Sequence, residues 1–348
     1  MKKYRIIIGI TILCLLAFGT HILVSTGFFR NVENKSYYDI AAKISIAGVE
    51  DLTIDKDNGF AIFISYPRAA KRDKKSFETG IYFMDLTTNN FQIKKISTNF
   101  NQLLFPHGIS LIQIDSNHHK LFVINHGTQE SIEVFDLYHQ DSLVHDKTLQ
   151  DELIYSPNDI VAISENEFYV TNDHYYSNKL GKTAENYLGL SKCETVYFDG
   201  KNYRVVDDNL AYANGINYDK KRNLMFIASP RGFLTNVYNR TENGDLKYIE
   251  SIDCGTGVDN IEFDEAGNIW IGCHPSLLAF ESYNKGKSDT SPSELIKINY
   301  RKKGDYDLES VYVNDGSEIS ASTVAGTYKD LVLVGTVLDE HFLIFRKK

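Results

Sequence analysis

The stretch SPNDIVAISENEFYVTNDHYY, Ser156 to Tyr176, decides how the chain is read. It sets Asn158 and Asp159 just ahead of a Val/Ile strand and places Asn172, Asp173 and His174 just after the next one. Carboxylates and carboxamides at strand edges are costly to bury unless something compensates them. The pattern recurs, and the recurrence shows what does. Six short apolar strands, each opened by a polar pair, resemble the second strand of this stretch: NGFAIFIS at Asn58, HKLFVIN at His119, NEFYVTN at Asn166, RNLMFIA at Arg222, GNIWIGC at Gly267 and KDLVLVG at Lys329. Their spacings are 61, 47, 56, 45 and 62 residues, a mean near 54.

That period suits a four-stranded blade with generous loops, and the sequence predicts an all-β, six-bladed β-propeller. A second series runs in step, upstream of each strand: VEDLTI at Glu50, PHGISL at His107, PNDIVAI at Asn158, ANGINY at Asn214, VDNIEF at Asp259 and ASTVAG at Thr323. Innermost propeller strands begin around the central channel. Glu50, Asp51, Asn158, Asp159, Asn214, Asp259 and Asn260 are therefore expected to converge from different blades.

Composition sets the bounds. The chain has 348 residues, a net charge of −9 and 43 % hydrophobic residues, ample for a large core. The acidic balance, without a long Lys/Arg cluster, argues against a nucleic-acid partner. At the N-terminus, Lys2, Lys3 and Arg5 precede an almost uncharged run from Ile6 to Phe29, long enough to cross a bilayer. No Ala-x-Ala site follows, and Leu13 before Cys14 does not suit a lipoprotein signal, so an uncleaved anchor over residues 1–30 is expected, with 31–348 as the propeller domain. The basic flank places that domain outside the cytoplasm, membrane-anchored, or secreted if the segment is cleaved. Cys193, Cys254 and Cys273 can form at most one internal bridge, so disulfides do not hold this fold.

Carboxylate and carboxamide oxygens gathered without Cys are the donor set of a hard cation, and a loose oxygen cage suits Ca²⁺. Any one of them, taken alone, also reads as a turn cap. His107 falls in the axial series and His126 follows the next strand. A His pair beside a cation points to water activation, one imidazole acting as base and the other fixing its tautomer. His174 and His274 each close a strand and either line the channel mouth or cap it. Trp270 lies inside an apolar strand and reads as core. No Gly-x-Ser-x-Gly elbow and no His-Glu-x-x-His helix occur.

Between Ile46 and Phe345 the motifs EDLTI, PHGIS, NDIVAI, TNDHYY, YLGL, ANGIN, VDNI, WIGCHP, STVAGTY and GTV resemble, in order, the serum paraoxonase/arylesterase family, six-bladed propellers that hydrolyse lactones and aryl esters with calcium. The resemblance implies two ions: a catalytic Ca²⁺ held by Glu50, Asn158, Asn214, Asp259 and Asn260, and a structural Ca²⁺ held by Asp51, Asp159 and the backbone carbonyl of Ile109. It implies His107 as general base with His126 as its partner, the carbonyl being polarised by the cation while water is activated by His107 or by an acidic ligand such as Glu50. Tyr212 and His274 are then expected in the pocket wall. The chain departs from the vertebrate pattern in having no Cys in NKSYYDIAAK or EHFLIFRKK to tie its ends, and in the loop ahead of YLGL.

Small lactones or esters are thus the expected substrates; the oligomeric state is left open. Two alternatives stand beside this reading: a non-catalytic propeller that calcium merely staples and whose face binds a partner, and a sugar-lactone hydrolase resembling gluconolactonase.

Overall fold

A computed structural model describes residues 2–348. Twenty-four of its strands form six antiparallel sheets of the blade type, and their inner strands are Leu52–Asp55, Pro106–Asp115, Pro157–Ala162, Ile216–Asp219, Gly257–Phe263 and Ser322–Tyr328. Each inner strand touches the inner strand of the next blade, and the sixth touches the first, which closes the ring. The six apolar runs of the sequence are the second strands, for example Phe60–Ser65 and Leu331–Thr336, in which every residue is buried. A strand covered on both faces reads as continuous apolar sequence rather than alternation. Six clusters of buried side chains lie between adjacent blades, and Trp270 belongs to the one between the fifth and sixth.

Closure mixes the two ends of the chain. Tyr38–Ile44 is the outer strand of the last blade and pairs antiparallel with the C-terminal strand Phe342–Lys347, from Tyr38 opposite Lys347 to Ile44 opposite Phe342. Hydrogen bonds and apolar packing thus do the work that a terminal disulfide would do. All four cysteines are free, three of them buried.

Among the described residues four α-helices and one short 3-10 helix, Pro230–Gly232, decorate this frame. Helix α1 (Lys2–Ser25) has a mean hydropathy of 2.4 over its most apolar window and is exposed along most of its length. Helices α2 (Arg68–Arg72), α3 (Lys179–Leu188) and α4 (Leu277–Asn284) sit in loops between strands. The mostly-β reading did not anticipate α2 to α4. The C-terminal end of α1 docks on the propeller: Leu277 N–H donates to the Thr26 carbonyl (2.9 Å), and Arg231 donates to the Ser25 carbonyl (2.7 Å) and hydroxyl (2.9 Å).

Candidate active site

The polar doublets meet because the inner strands are irregular where the doublets fall. Ladder register shifts between Pro106 and Ile109, Pro157 and Ile160, Val258 and Ile261, and Ser322 and Val324. A bulge of this kind re-aims side chains at a strand's end. In the first and fourth blades the doublets Glu50-Asp51 and Asn214-Gly215 lie just ahead of the strand. The glycines answer to crowding between neighbouring inner strands: a Cβ at Gly108 would lie 2.5 Å from Asp159 Cα, and one at Gly215 2.3 Å from the Asp259 carbonyl oxygen.

Glu50, Asn158, Asn214, Asp259 and Asn260 are all buried. Four of them carry an oxygen with no hydrogen-bond partner: Glu50 Oε2, Asn158 Oδ1, Asn214 Oδ1 and Asp259 Oδ1. Four unpartnered acceptors from four blades around one cavity are what a bound cation would satisfy. Asn260 is turned otherwise, its amide donating to the Glu50 carbonyl (3.0 Å) and to Glu50 Oε1 (3.3 Å). Among the described residues no three His, Cys, Asp or Glu side chains form a preformed metal cluster, so the fit rests on mixed carboxylate and carboxamide oxygens.

Asp51 and Asp159 are bound differently. Asp51 accepts from the backbone N–H of Leu52 (2.8 Å) and of Ile109 (2.8 Å); Asp159 accepts from Ile160 (2.7 Å) and Ile216 (2.7 Å). Burial pushes both carboxyls well above the usual range, and for Asp51 the neighbouring Asp159 and Glu50 charges add to it. The pair suits a cation by charge, although each of its oxygens already accepts a backbone N–H. Ile109 enters this group through its N–H to Asp51.

Beside the first oxygen group stands a chain of acid and imidazole. His107 Nε2 is 3.4 Å from Glu50 Oε1, His107 Nδ1 is 2.7 Å from His126 Nε2, and His126 Nδ1 bonds the Glu130 carboxylate. A carboxylate only accepts, so His126 carries its proton on Nδ1 and accepts at Nε2 from His107 Nδ1–H. That leaves the lone pair of His107 on Nε2. Burial, with the Arg68 charge, holds the His107 imidazole below its usual range against the pull of Glu50. Burial also acts on Glu50, but a protonated His107, whose charge and Nε2–H would face it, outweighs that burial together with Arg68 and Asn260 and holds the carboxyl at about 2.

These groups open into a cavity of about 340 Å³. Its floor includes Glu50, His107, Asn158, Asn214 and Asp259. Tyr212, His174 and His274 all line it, so both histidines face the cavity. His274 Nε2 lies 2.9 Å from Asp259 Oδ2, and its ring stacks on Phe280 of α4 at 4.1 Å. His174 bonds Asp173 (2.7 Å) and Asn186 Oδ1 (3.2 Å), and meets the Tyr212 ring edge-on at 5.0 Å. Burial works against a charged His174, but Asp173 outweighs it and raises the imidazole. Tyr212 has φ +65°, a left-handed conformation that a non-glycine residue adopts at some cost.

Sequence reading missed Glu130, Arg68, Arg231 and the apolar wall that α4 supplies through Leu277, Leu278 and Phe280. Glu130 carried a signal, an acid four residues after His126.

The fold and its cavity define a six-bladed propeller with an oxygen-lined, histidine-flanked pocket at one end of the channel. A family model described as arylesterase matches residues 48–344, and the chain belongs to that family of ester hydrolases. It is 35 % identical over 301 residues to human serum paraoxonase/arylesterase 1, covering 83 % of each chain, and 34 % identical over 263 residues to human serum paraoxonase/lactonase 3, covering 74 % of each. Among solved structures, a putative gluconolactonase matches with a TM-score of 0.52 at 11 % identity, over 92 % of this chain and 95 % of that one. An aldose sugar dehydrogenase from Streptomyces coelicolor matches with 0.53 at 11 %, over 91 % and 99 %. These likenesses show the fold alone.

Proposed function

We propose that this ester hydrolase is calcium-dependent, acts on lactones and aryl esters, and uses His107 as general base. The observation that carries the proposal is the set of four unpartnered oxygens, on Glu50, Asn158, Asn214 and Asp259, in the same cavity as the lone pair of His107 Nε2. Those four residues with Asn260 would hold the catalytic ion; Asp51, Asp159 and Ile109 would hold a structural one. When bound, the catalytic ion supplies a fixed positive charge that polarises the scissile carbonyl.

The chain's own residues do the rest. His107 Nε2 takes a proton from water as the water oxygen adds to the carbonyl carbon. Glu50, 3.4 Å away, stabilises the imidazolium so formed. The acyl–oxygen bond then breaks and His107 returns the proton to the departing alkoxide or phenoxide, giving a hydroxy acid from a lactone, or an acid and a phenol from an aryl ester. His126 and Glu130 hold the His107 ring and its tautomer throughout. The wall of Leu277, Leu278, Phe280 and Tyr212 accepts the apolar part of the substrate.

In this reading residues 1–30 anchor the protein in a membrane and residues 31–348 form the hydrolase domain on its extracytoplasmic side, supported by the apolar, exposed α1 and its basic N-terminal flank. The experiment is hydrolysis of phenyl acetate and a γ- or δ-lactone by the full chain in detergent, with Ca²⁺ and with EGTA. Turnover that EGTA abolishes and Ca²⁺ restores is expected. A folded protein that loses no activity on chelation overturns the calcium assignment, and one that turns over neither substrate overturns the lactone and aryl ester assignment.

A further inference from the structure

Arg68 is the first residue of α2, and its side chain lines the catalytic cavity. Among the described residues its guanidinium forms no ion pair and no hydrogen bond; its close partner is the Tyr66 ring, with the guanidinium carbon 5.5 Å from the centroid. The other cations of the wall are engaged. Lys285 pairs with Glu281, and the Arg231 N–H groups go to carbonyl oxygens of Ser25, Asn186 and Tyr187 and to the Ser25 hydroxyl. Arg68 lines the same cavity as Glu50, His107 and Tyr212, so its charge faces the pocket that holds the proposed base.

The charge balance of the cavity gives this free group a purpose. Its floor carboxylates, Glu50 and Asp259, are the ones whose unpartnered oxygens suit a divalent cation. With their charge taken up, the wall is net positive, because Glu281 and Lys285 cancel while Arg68 and Arg231 do not. A neutral ester leaves the five donors of Arg68 with water alone. A carboxylate on the substrate matches the planar guanidinium in two parallel hydrogen bonds, in a pocket where water competes less than at an open surface. A cavity of about 340 Å³ is near the small end of ligand sites, which suits a compact ester acid.

We propose that Arg68 is a specificity-determining residue that pairs with a carboxylate carried by the substrate, so that the preferred esters and lactones of this enzyme are anionic. The proposal rests on the hydrolase reading of the same cavity and names its substrate class.

The test compares kcat/KM for phenyl acetate and for the monophenyl ester of succinic acid, using the full chain in detergent with Ca²⁺. The wild type is expected to favour the succinate ester. In Arg68→Ala the ratio of the two values falls roughly ten- to hundredfold, chiefly through KM for the anionic ester. Arg68→Lys recovers part of the ratio, as a point charge without the fork would, and Arg68→Glu lowers it further. A ratio unchanged within about twofold in Arg68→Ala, or a wild type that favours phenyl acetate, overturns the proposal while leaving the hydrolase reading in place. If the wild type hydrolyses neither ester, the aryl ester part of the hydrolase reading fails, and calorimetric binding of N-phenylsuccinamic acid decides the Arg68 pairing separately: binding lost in Arg68→Ala supports it, and equal binding by both proteins overturns it.

Discussion

Glu130 is the residue through which the proposed base can be tested without touching a candidate metal ligand. It sits at the outer end of the chain that runs from Glu50 through His107 and His126, and its carboxylate accepts from His126 Nδ1. The pair is partly open to water, with the His126 and Glu130 side chains 25 % and 38 % exposed, so solvent screening reduces its charge contribution to about 1 kcal/mol. Glu130→Ala removes this charge and the acceptor that fixes the tautomer, and kcat should fall roughly five- to tenfold. Glu130→Gln keeps an acceptor oxygen and loses the charge, so its loss should be smaller. His126→Ala strikes deeper, because it leaves His107 Nδ1–H, on a buried ring, without an acceptor; about 1–3 kcal/mol is at stake, or roughly ten- to hundredfold in kcat. The assay is steady-state hydrolysis of phenyl acetate at saturating Ca²⁺, with thermal melting to confirm that the variants fold. A Glu130→Ala enzyme with wild-type kcat refutes the relay beyond His126. A drop in Glu130→Ala that matches His126→Ala and comes with a lowered melting temperature refutes it too, since structure rather than proton placement would then be at fault.

Asn214→Ala removes one of the four unpartnered oxygens; the rise in melting temperature that Ca²⁺ confers should shrink, with affinity falling roughly tenfold or more, and an unchanged calcium titration would count against the ligand set. Gly108→Ala puts a Cβ 2.5 Å from Asp159 Cα, an overlap with backbone that should cost about 3 kcal/mol and lower the melting temperature by roughly 4 °C; a loss under about 1 °C would show that the two strands separate easily. Asp173 gives a pH dependence. Burial acts to raise its carboxyl, but the hydrogen bonds of His174 and Ser156 hold it at about 2 instead of 3.8, on the order of 2 kcal/mol that is present above pH 4 and lost as pH falls toward 2. His174 is raised above its ordinary 6.5, so its share is present below pH 6.5 and fades as pH rises beyond it. Asp173→Asn should therefore lower the melting temperature most between about pH 4 and 6.5; a deficit that does not diminish at pH 2 to 3 contradicts the pairing.

The blades were legible because burial on both faces of a strand writes the same signal six times, and the period then fixes the architecture. Runs such as FAIFIS and LVLVGT are wholly buried second strands, so an error in one would have been corrected by the other five. The residues over the channel have no such redundancy. Arg68, Leu277, Leu278 and Phe280 come from α2 and α4, helices of five and eight residues, too short for a helical period to stand out in the sequence. Ser276 caps α4 by accepting from Ala279 N–H, a cue that was present in SLLAFES but too short to outweigh the β pattern on either side. The link from Arg231 to Ser25 joins residues 206 positions apart, and nothing local records it.

Why the polar motifs come as doublets follows from the hydrogen bonds. The first member of each pair faces the cavity: Glu50, Asn158, Asn214 and Asp259 each keep a free oxygen there, and His107 presents its ring. The second member ties its blade to another. Asp51 reaches the backbone N–H of Ile109 in the second blade, Asp159 reaches that of Ile216 in the fourth, and Asn260 reaches the Glu50 carbonyl in the first. Where the second member is glycine, at Gly108 and Gly215, it makes room for the neighbouring strand instead. In the Glu50-Asp51 and Asn158-Asp159 doublets the first residue keeps a free oxygen on the cavity and the second ties neighbouring blades, so a substitution at Asp51 or Asp159 should disturb stability and catalysis together, whereas one at Asn158 or Asn214 should spare the fold. That difference gives the adjacent positions separable phenotypes, in step with the two separate ligand sets that the sequence motifs imply for them.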